Sequence, residues 1–290
     1  MMWKRYYTPK NLSEALELKE GYGKRGRIIS GGTDLVIDFS KKGVSSTEAV
    51  IDISSIPDIR NIFIQNGELY IGSAVTFSEI LHSSVIREHV PVLAEAARQI
   101  AGPQIRNLAT IGGNVVNASP AADAIPPLLV LNAMVSIIGA GGGSREVYLE
   151  QFLLGNRKVA LEPNEIVTGF HFQIPSKNCC QYFRKVKPRQ SMAIALLNLA
   201  ICLCVEKARI SDVRIAMGAV APTALRIKTV ENKLKNLPTD LAKNPECYQG
   251  VLSDIDPITD FRASRQYRLR VAKNLLYEAV VGLLEGSDQN

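Results

Sequence analysis

Apolar positions along the chain come in short runs broken by glycine, proline and asparagine, with no internal repeat and no low-complexity tract. Ser13 to Lys19 carries Ala15, Leu16 and Leu18 and predicts a short amphipathic helix. Arg27-Ile-Ile-Ser30 predicts a strand that ends on a glycine doublet. Strand signals return at Ala49 to Ile53, Ile62 to Ile64 and Leu69 to Gly72, and Asn66-Gly67 between the last two predicts a tight hairpin. Thr76-Phe-Ser-Glu79 has capping-box spacing and opens a helix. Pro91 to Ile100 predicts another, with Leu93, Ala96, Ala97 and Ile100 on one face and Gly102-Pro103 as its stop. Ser119-Pro120 reads as an N-cap followed by proline at the first helical position, and Pro126-Pro127 as a restart before Leu128 to Leu131. Met134 to Ile138 predicts a strand running into Gly139-Ala-Gly-Gly-Gly-Ser144. Because Arg145 to Tyr148 resumes as a strand, a hairpin turn accounts for these glycines better than a dinucleotide-binding loop.

A polar junction at Gln173 to Asn178 marks a domain boundary. Beyond it, Met192 to Val205 and Val213 to Val220 predict strands of an antiparallel sheet. Helices are predicted at Thr229 to Leu237 and Ala263 to Leu284, the latter with Tyr267, Val271, Leu275, Ala279 and Leu283 in one stripe. The expected architecture is α+β, with a domain at 1–176, itself divided into about 1–55 and 56–176, and a smaller domain at 177–290.

The length, 290 residues, suits one large or two ordinary domains, and a hydrophobic content of 46% with 21% charged residues is that of a globular chain. No run of about 18 apolar residues is present, and Met1 to Pro9 lacks the apolar core of a signal peptide, so the expectation is a cytoplasmic protein without a membrane span. A net charge of +6 would allow an acidic partner, but the basic residues are scattered. The densest group, Arg262, Arg265, Arg268 and Arg270, reads as a solvated helix face or a subunit contact, and nucleic acid is not expected. Five cysteines, Cys179, Cys180, Cys202, Cys204 and Cys247, contain no CxxC pair. Cys202 and Cys204 alternate along a strand and read as buried packing, which leaves zinc and iron-sulfur sites poorly supported. His82, His89 and His171 lie far apart in the sequence, and no hydrolytic triad is visible.

The chemistry is carried by two glycine doublets. They are Ile29-Ser-Gly-Gly-Thr-Asp34 and Thr110-Ile-Gly-Gly-Asn-Val-Val-Asn117, the second leading into Ala118-Ser-Pro-Ala-Ala-Asp123. Glycine pairs permit positive φ and close approach to the main chain, and Thr, Ser and Asn add neutral donors, a combination suited to phosphate or pyrophosphate.

Together the two segments resemble the signature of the FAD-binding subunits and domains of the molybdenum hydroxylases, the family of xanthine and carbon monoxide dehydrogenases. Ser30-Gly-Gly-Thr-Asp-Leu35 is similar to its first motif, and Thr110 to Asp123 to its second. Ala101 to Asn107, Arg184 to Ile194, Gly218 to Thr223 and Ser264 to Arg268 resemble four further segments, so the likeness spans nearly the whole chain. Within the family it points to the separate FAD subunit of the bacterial xanthine dehydrogenase type. Ser30 replaces the usual alanine, and Ala193 stands where several members carry an acidic residue, which puts the nicotinamide contact in question.

The resemblance implies a two-subdomain FAD-binding fold of the PCMH type, followed by the C-terminal domain of the family's flavoproteins. It implies non-covalent FAD cradled by Ile28, Ile29, Ser30, Gly31, Gly32, Thr33, Asp34 and Leu35 and by Thr110, Ile111, Gly112, Gly113 and Asn114. Asn117, Ser119 and Asp123 would lie beside it, Ile100 and Ile166 would contact the flavin or serve as ordinary core, and Lys185 would stand near the cofactor. On physical grounds the four glycines would face the diphosphate from two sides, since successive amides form anion-binding concavities. Thr33, Thr110 and Asn114 would donate, Asp34 would cap local amides, and Asp123 would accept from a ribose or ribityl hydroxyl. The implied function is electron transfer without a catalytic acid or base: an iron-sulfur subunit delivers electrons from a molybdopterin subunit, and FAD passes them to NAD. The competing readings are a related hydroxylase of carbon monoxide, nicotinate or aldehyde type, and a phosphate-binding regulatory protein that lost the redox role. A self-sufficient flavin oxidase would need a substrate domain larger than 177–290.

Overall fold

Short β-branched runs in the first fifty residues pair in parallel because helices join them. In the computed structural model, which describes residues 3–42, 47–190 and 192–287, β1 (Arg5–Tyr7), α1 (Leu12–Tyr22), β2 (Gly26–Ile29), α2 (Leu35–Lys42) and β3 (Ala49–Asp52) form a three-stranded sheet ordered β1-β3-β2. Asn11 caps α1 by accepting the Glu14 amide at 2.9 Å. Ile51, Ile53, Ile56 and Ile59 close this unit with Ala15 against Ile166 of the neighbouring sheet.

That neighbouring sheet has five antiparallel strands. β4 (Ile62–Gln65) and β5 (Glu68–Gly72) are joined by Asn66-Gly67 with φ of 52° and 81°, the positive pair that a primed two-residue turn requires. The excursion after β5 holds α3 (Phe77–His82), α4 (Ser84–His89), α5 (Pro91–Gln99), α6 (Pro103–Arg106), α7 (Ile111–Asn117) and α8 (Ile125–Val130). Thr76 and Glu79 complete both halves of the expected capping box on α3. Ser119-Pro120, by contrast, forms a turn: α8 starts at Ile125 and places Pro126 and Pro127 in its first turn, where amide hydrogens lack helical partners anyway. The chain returns through β6 (Met134–Gly139) and β7 (Ser144–Tyr148), whose glycine connection is the hairpin turn expected, with Gly141 and Gly142 both at φ 81°. After α9 (Leu149–Phe152) comes a small hairpin, β8 (Leu153–Gly155) and β9 (Lys158–Val159). β10 (Glu165–Gln173) then inserts between β5 and β6, giving the order β4-β5-β10-β6-β7.

The C-terminal sheet is antiparallel in chain order: β11 (Cys179–Val186), β12 (Leu197–Glu206), β13 (Arg209–Gly218) and β14 (Leu225–Arg226). Leu199, Ile201, Leu203, Ile215 and Met217 pack on one face beneath α10 (Lys228–Leu234), Tyr248 and the last helix. Phe183, Ala200, Cys202 and Ala216 face the other way, into the core built by α5 and α8. β12 is thus buried on both faces, which is why its sequence is almost continuously apolar. Short helices α11 (Thr239–Ala242) and α12 (Val251–Asp254) precede α13 (Arg265–Ser287).

Three expectations change here. The buried stripe of α13 is Arg268, Ala272, Leu276, Val280 and Leu284, with Ala279 shared, and Tyr267 is exposed. The register slips by one because its first anchor is a charged residue, which a hydropathy pattern passes over. Of the arginine group, Arg265 and Arg270 are exposed as a solvated face would have them, and Arg268 is the exception. Arg268 is 3% exposed and donates to the carbonyls of Leu196 (2.5 Å) and Ala219 (3.0 Å) and to Asp260 (2.9 Å), while Arg262 and Arg265 pair with Asp260 and Asp256. Burial raises the Asp260 carboxyl, but amides from Ala263 and Arg262 and the two guanidinium groups outweigh it and hold the pKa at about 2. Finally, Cys204 is not a plain core thiol: it forms a cross-strand disulfide with Cys179.

Arg268 is therefore a staple between α13 and the sheet. Arg268→Ala leaves Asp260 without its buried partner and is expected to cost on the order of 3 kcal/mol in denaturant unfolding. The Asp260 contribution is present above the unfolded carboxyl value near pH 4 and fades as pH falls toward 2. Asp260→Asn should flatten that acid limb of the stability curve.

Candidate cofactor-binding site

β2 ends at Ile29, and residues 30–34 turn the chain into α2. Gly32 makes the turn with φ 68°, where a Cβ would also press to 2.9 Å from the Ile29 side chain. Amides from Gly31 through Leu35 donate to no protein acceptor among the described residues, and the Ser30 hydroxyl is buried without a partner. A run of free donors at a helix start is an anion site in waiting. Gly31 serves packing, since a Cβ there would sit 1.9 Å from the Leu108 carbonyl oxygen. Only glycine lets this loop lie against Leu108-Ala109, the two residues before Thr110, and that approach brings the two glycine segments together.

The second segment is not a turn. Thr110 is an extended N-cap whose Oγ1 accepts the Gly113 amide at 3.1 Å, and Gly112 and Gly113 are helical residues of α7. Ile111, Gly112 and Asn114 donate to Val75 O, Ser73 O and Thr110 O. The expected two-sided ring of free amides is therefore one-sided, because the helix and the β5 end consume those of the second doublet. What α7 offers is the Thr110 hydroxyl hydrogen, the open backbone of Gly113, and Asn114, whose Oδ1 is buried and unpartnered. Gly112 is a packing glycine, its Cβ position 2.6 Å from Ser73. Ser73 Oγ, also buried and unpartnered, belongs beside these groups, and no sequence signal singles it out. Asp34 is exposed and caps no amide among the described residues, so water relieves its charge instead.

Arg157 is a second residue that the sequence does not reveal. It forms the tip of the β8–β9 hairpin and reaches Asp38 of α2 at 3.0 Å and Asn117 of α7 at 3.5 Å, strapping α2, which follows the first glycine doublet, to α7, which carries the second. Nothing in the local sequence shows where that hairpin lies. Ser119 Oγ accepts the Ala121 amide at 3.4 Å. Ile28 and Ile29 sit on β2, Leu35 begins α2, Ile111 is fully buried, and Ile100 and Ile166 are core residues at 8% and 2% exposure.

Asp123 and Lys185 meet each other. Lys185 Nζ lies 2.6 Å from Asp123 Oδ2 and donates also to Gln99 O, while Asn198 Nδ2 donates to Asp123 Oδ1 at 2.9 Å. Burial pushes the Asp123 carboxyl up, against the pull of Lys185 and Asn198. This network ties the helical excursion to β11 and β12. Lys185 and Gln99 also line a cleft of about 900 Å³ between α5, α6 and the β11–β12 connection; Arg184, Lys187 and Arg189 line it too, with Arg98 paired to Glu95 and Arg106 bonded to the Ile100 carbonyl.

Comparison with known proteins agrees with this geometry. Residues 2–177 match the family described as FAD binding domain in molybdopterin dehydrogenase, and residues 181–283 match the CO dehydrogenase flavoprotein C-terminal domain. The chain belongs to the FAD-binding subunits of the molybdenum hydroxylase family. It is similar to the xanthine dehydrogenase FAD-binding subunit of Escherichia coli O157:H7, at 33% identity covering 95% of each chain. The nicotinate dehydrogenase FAD-subunit of Eubacterium barkeri is also 33% identical, over 97% of this chain and 96% of its own. Among solved structures, carbon monoxide dehydrogenase from Hydrogenophaga pseudoflava superposes with a TM-score of 0.88 at 28% identity, covering 94% of both chains. FAD is the cofactor: the free amides of residues 31–35 and the orphaned hydroxyls of Ser30 and Ser73 fit its anionic part, and the orphaned Asn114 Oδ1, an acceptor, fits one of its hydroxyls. No helix among the described residues is long and apolar enough to cross a membrane.

The glycines separate by role. Gly31→Ala drives a Cβ into backbone and should destabilise the protein by on the order of 3 kcal/mol while lowering flavin content. A Cβ at exposed Gly113 meets only Thr110 Oγ1, at 3.1 Å, so Gly113→Leu should change stability by no more than about 1 kcal/mol while flavin is lost. Absorbance ratios of flavin to protein, read beside melting curves, distinguish the two.

Proposed function

We propose that this chain is the electron-output subunit of a xanthine dehydrogenase-type molybdenum hydroxylase, taking electrons from an iron-sulfur subunit that serves a molybdopterin subunit and delivering them to NAD in the cytoplasm. The observation that carries the acceptor is the basic cleft beside Lys185 and the backbone flanking Ile100. A dinucleotide brings two phosphate charges, and Arg184 and Arg189 are exposed on the cleft rim where they can meet them.

When bound, FAD supplies both one-electron and two-electron chemistry, which lets clusters that move single electrons serve an acceptor that takes a pair. The chain's residues do the holding. In this reading the amides of Gly31 to Leu35 take the diphosphate, with Ser30, Thr33, Thr110 and Asn114 completing its hydrogen bonds. Ile29, Ile100 and Ile166 give apolar walls, and Asp123 fixes Lys185 at the junction of the domains. No general acid or base is required of them. Substrate choice lies with the molybdenum subunit, and the equal identity to a nicotinate dehydrogenase subunit keeps that relative's chemistry as the second reading.

Anaerobic NADH should bleach the flavin of the purified protein. The double variant Arg184→Glu with Arg189→Glu should keep its flavin but raise the NADH concentration needed by about 10-fold or more, since each lost phosphate contact costs more than 1 kcal/mol. A flavin that dithionite bleaches and NADH does not would remove NAD from the scheme and leave the FAD assignment standing.

A further inference from the structure

Cys179, Cys202 and Cys204 place their three sulfur atoms within 4.8 Å of one another. Cys204 stands directly opposite Cys179 across the β11–β12 ladder, and Cys202, two residues back on the same face of β12, completes the triangle. Two of the sulfurs are joined in the disulfide and Cys202 remains a free, fully buried thiol. A disulfide needs two cysteines, so the third is unexplained by it. Three sulfurs around a tetrahedral zinc ion would lie about 3.8 Å apart, given zinc-sulfur bonds of about 2.3 Å. Once the disulfide opens, its two sulfurs part to that spacing, and the Cys202 sulfur already lies within 4.8 Å of both.

The surroundings suit such a site. Arg214 of β13 pairs with Cys202 across the ladder, and its Nη2 lies 3.6 Å from the Cys202 sulfur. Three thiolates and one Zn²⁺ carry a net charge of −1; the Arg214 guanidinium faces it, shared with Asp212, which lies opposite Cys204 and pairs with Arg214 at 3.1 Å. Cys179 is only partly buried and provides the way in, so water can supply the fourth donor.

We propose that the reduced chain binds one thiophilic cation of the zinc class at Cys179, Cys202 and Cys204, and that the disulfide is the oxidised, metal-free form of the same site. Reduction by a dithiol adds two electrons and two protons to the Cys179–Cys204 disulfide, giving two thiols while the dithiol closes to its own disulfide. Binding Zn²⁺ then releases three protons as three zinc-sulfur bonds form. The site pins the start of β11, the strand that carries Lys185, and so braces the domain junction from the end opposite to Asp123. It is independent of the acceptor assignment above.

The test uses the full-length, FAD-loaded chain, reduced anaerobically with a dithiol, freed of reductant and titrated with Zn²⁺ against a chromophoric chelator. One equivalent should bind, and alkylation of Cys179, Cys202 and Cys204, mapped by mass spectrometry, should slow on zinc addition. Cys202→Ser should weaken binding by at least the roughly 10 to 100-fold that losing an outer-shell partner costs. Cys180→Ser, outside the triangle, should bind as the parent does, and unchanged flavin content in both variants shows that they fold. Three outcomes overturn the proposal: alkylation rates indifferent to zinc, equal zinc binding by Cys202→Ser and its parent, or a Cys179–Cys204 disulfide that resists the dithiol.

Discussion

The structure around the cofactor depends on one close approach, the backbone of Gly31 against the carbonyl of Leu108. A side chain at that position would hold apart two units that belong to different sheets, and with them the two segments that form the cradle. Once they touch, the labour divides. The first loop keeps its amides free because β2 has ended and α2 has not yet begun to bond, whereas α7 satisfies its own amides and contributes side-chain groups and an open glycine. A two-sided electrostatic grip thus becomes one anion-binding loop facing a polar helix start.

A second constraint makes the domains one working unit. Asp123, Lys185 and Asn198 are all buried and both of the others donate to Asp123, so the excursion that carries the second motif is tied to β11 and β12. Removing one partner from such a network leaves an uncompensated buried charge, which is far worse than never having built it. The basic cleft opens beside this network. In the proposed scheme, cofactor placement and acceptor access therefore rest on the same ionic contact.

Much of this is legible in the sequence where the signal is local. Asn66-Gly67, the Thr76-Glu79 box and the glycine run after β6 each specify a backbone conformation through residues in direct contact, and each appears as expected. Both motif segments are identifiable through the family signature they resemble, and the matching family models agree. What is not legible depends on long-range placement. The burial of Arg268 reverses the usual meaning of a charge on a helix, and it alone shifts the α13 stripe. Arg157 and Ser73 come beside the two motif segments only because a distant hairpin and a strand end fold against them, and the three cysteines meet because two strands pair in one register. Ser119-Pro120 misleads for a local reason: a cap signal states where a helix could begin, and the turn that holds Asp123 in place begins there instead.

Hydrogen exchange of the full-length chain, with and without FAD, tests the cradle most directly. Amides of residues 31–35 are expected to exchange freely in the apo protein and to become protected when FAD is added, while Ile111, Gly112 and Asn114 are protected in both states. Protection of residues 31–35 before FAD is added, or its absence afterwards in a chain that has bound FAD, would contradict a cradle built on those free amides.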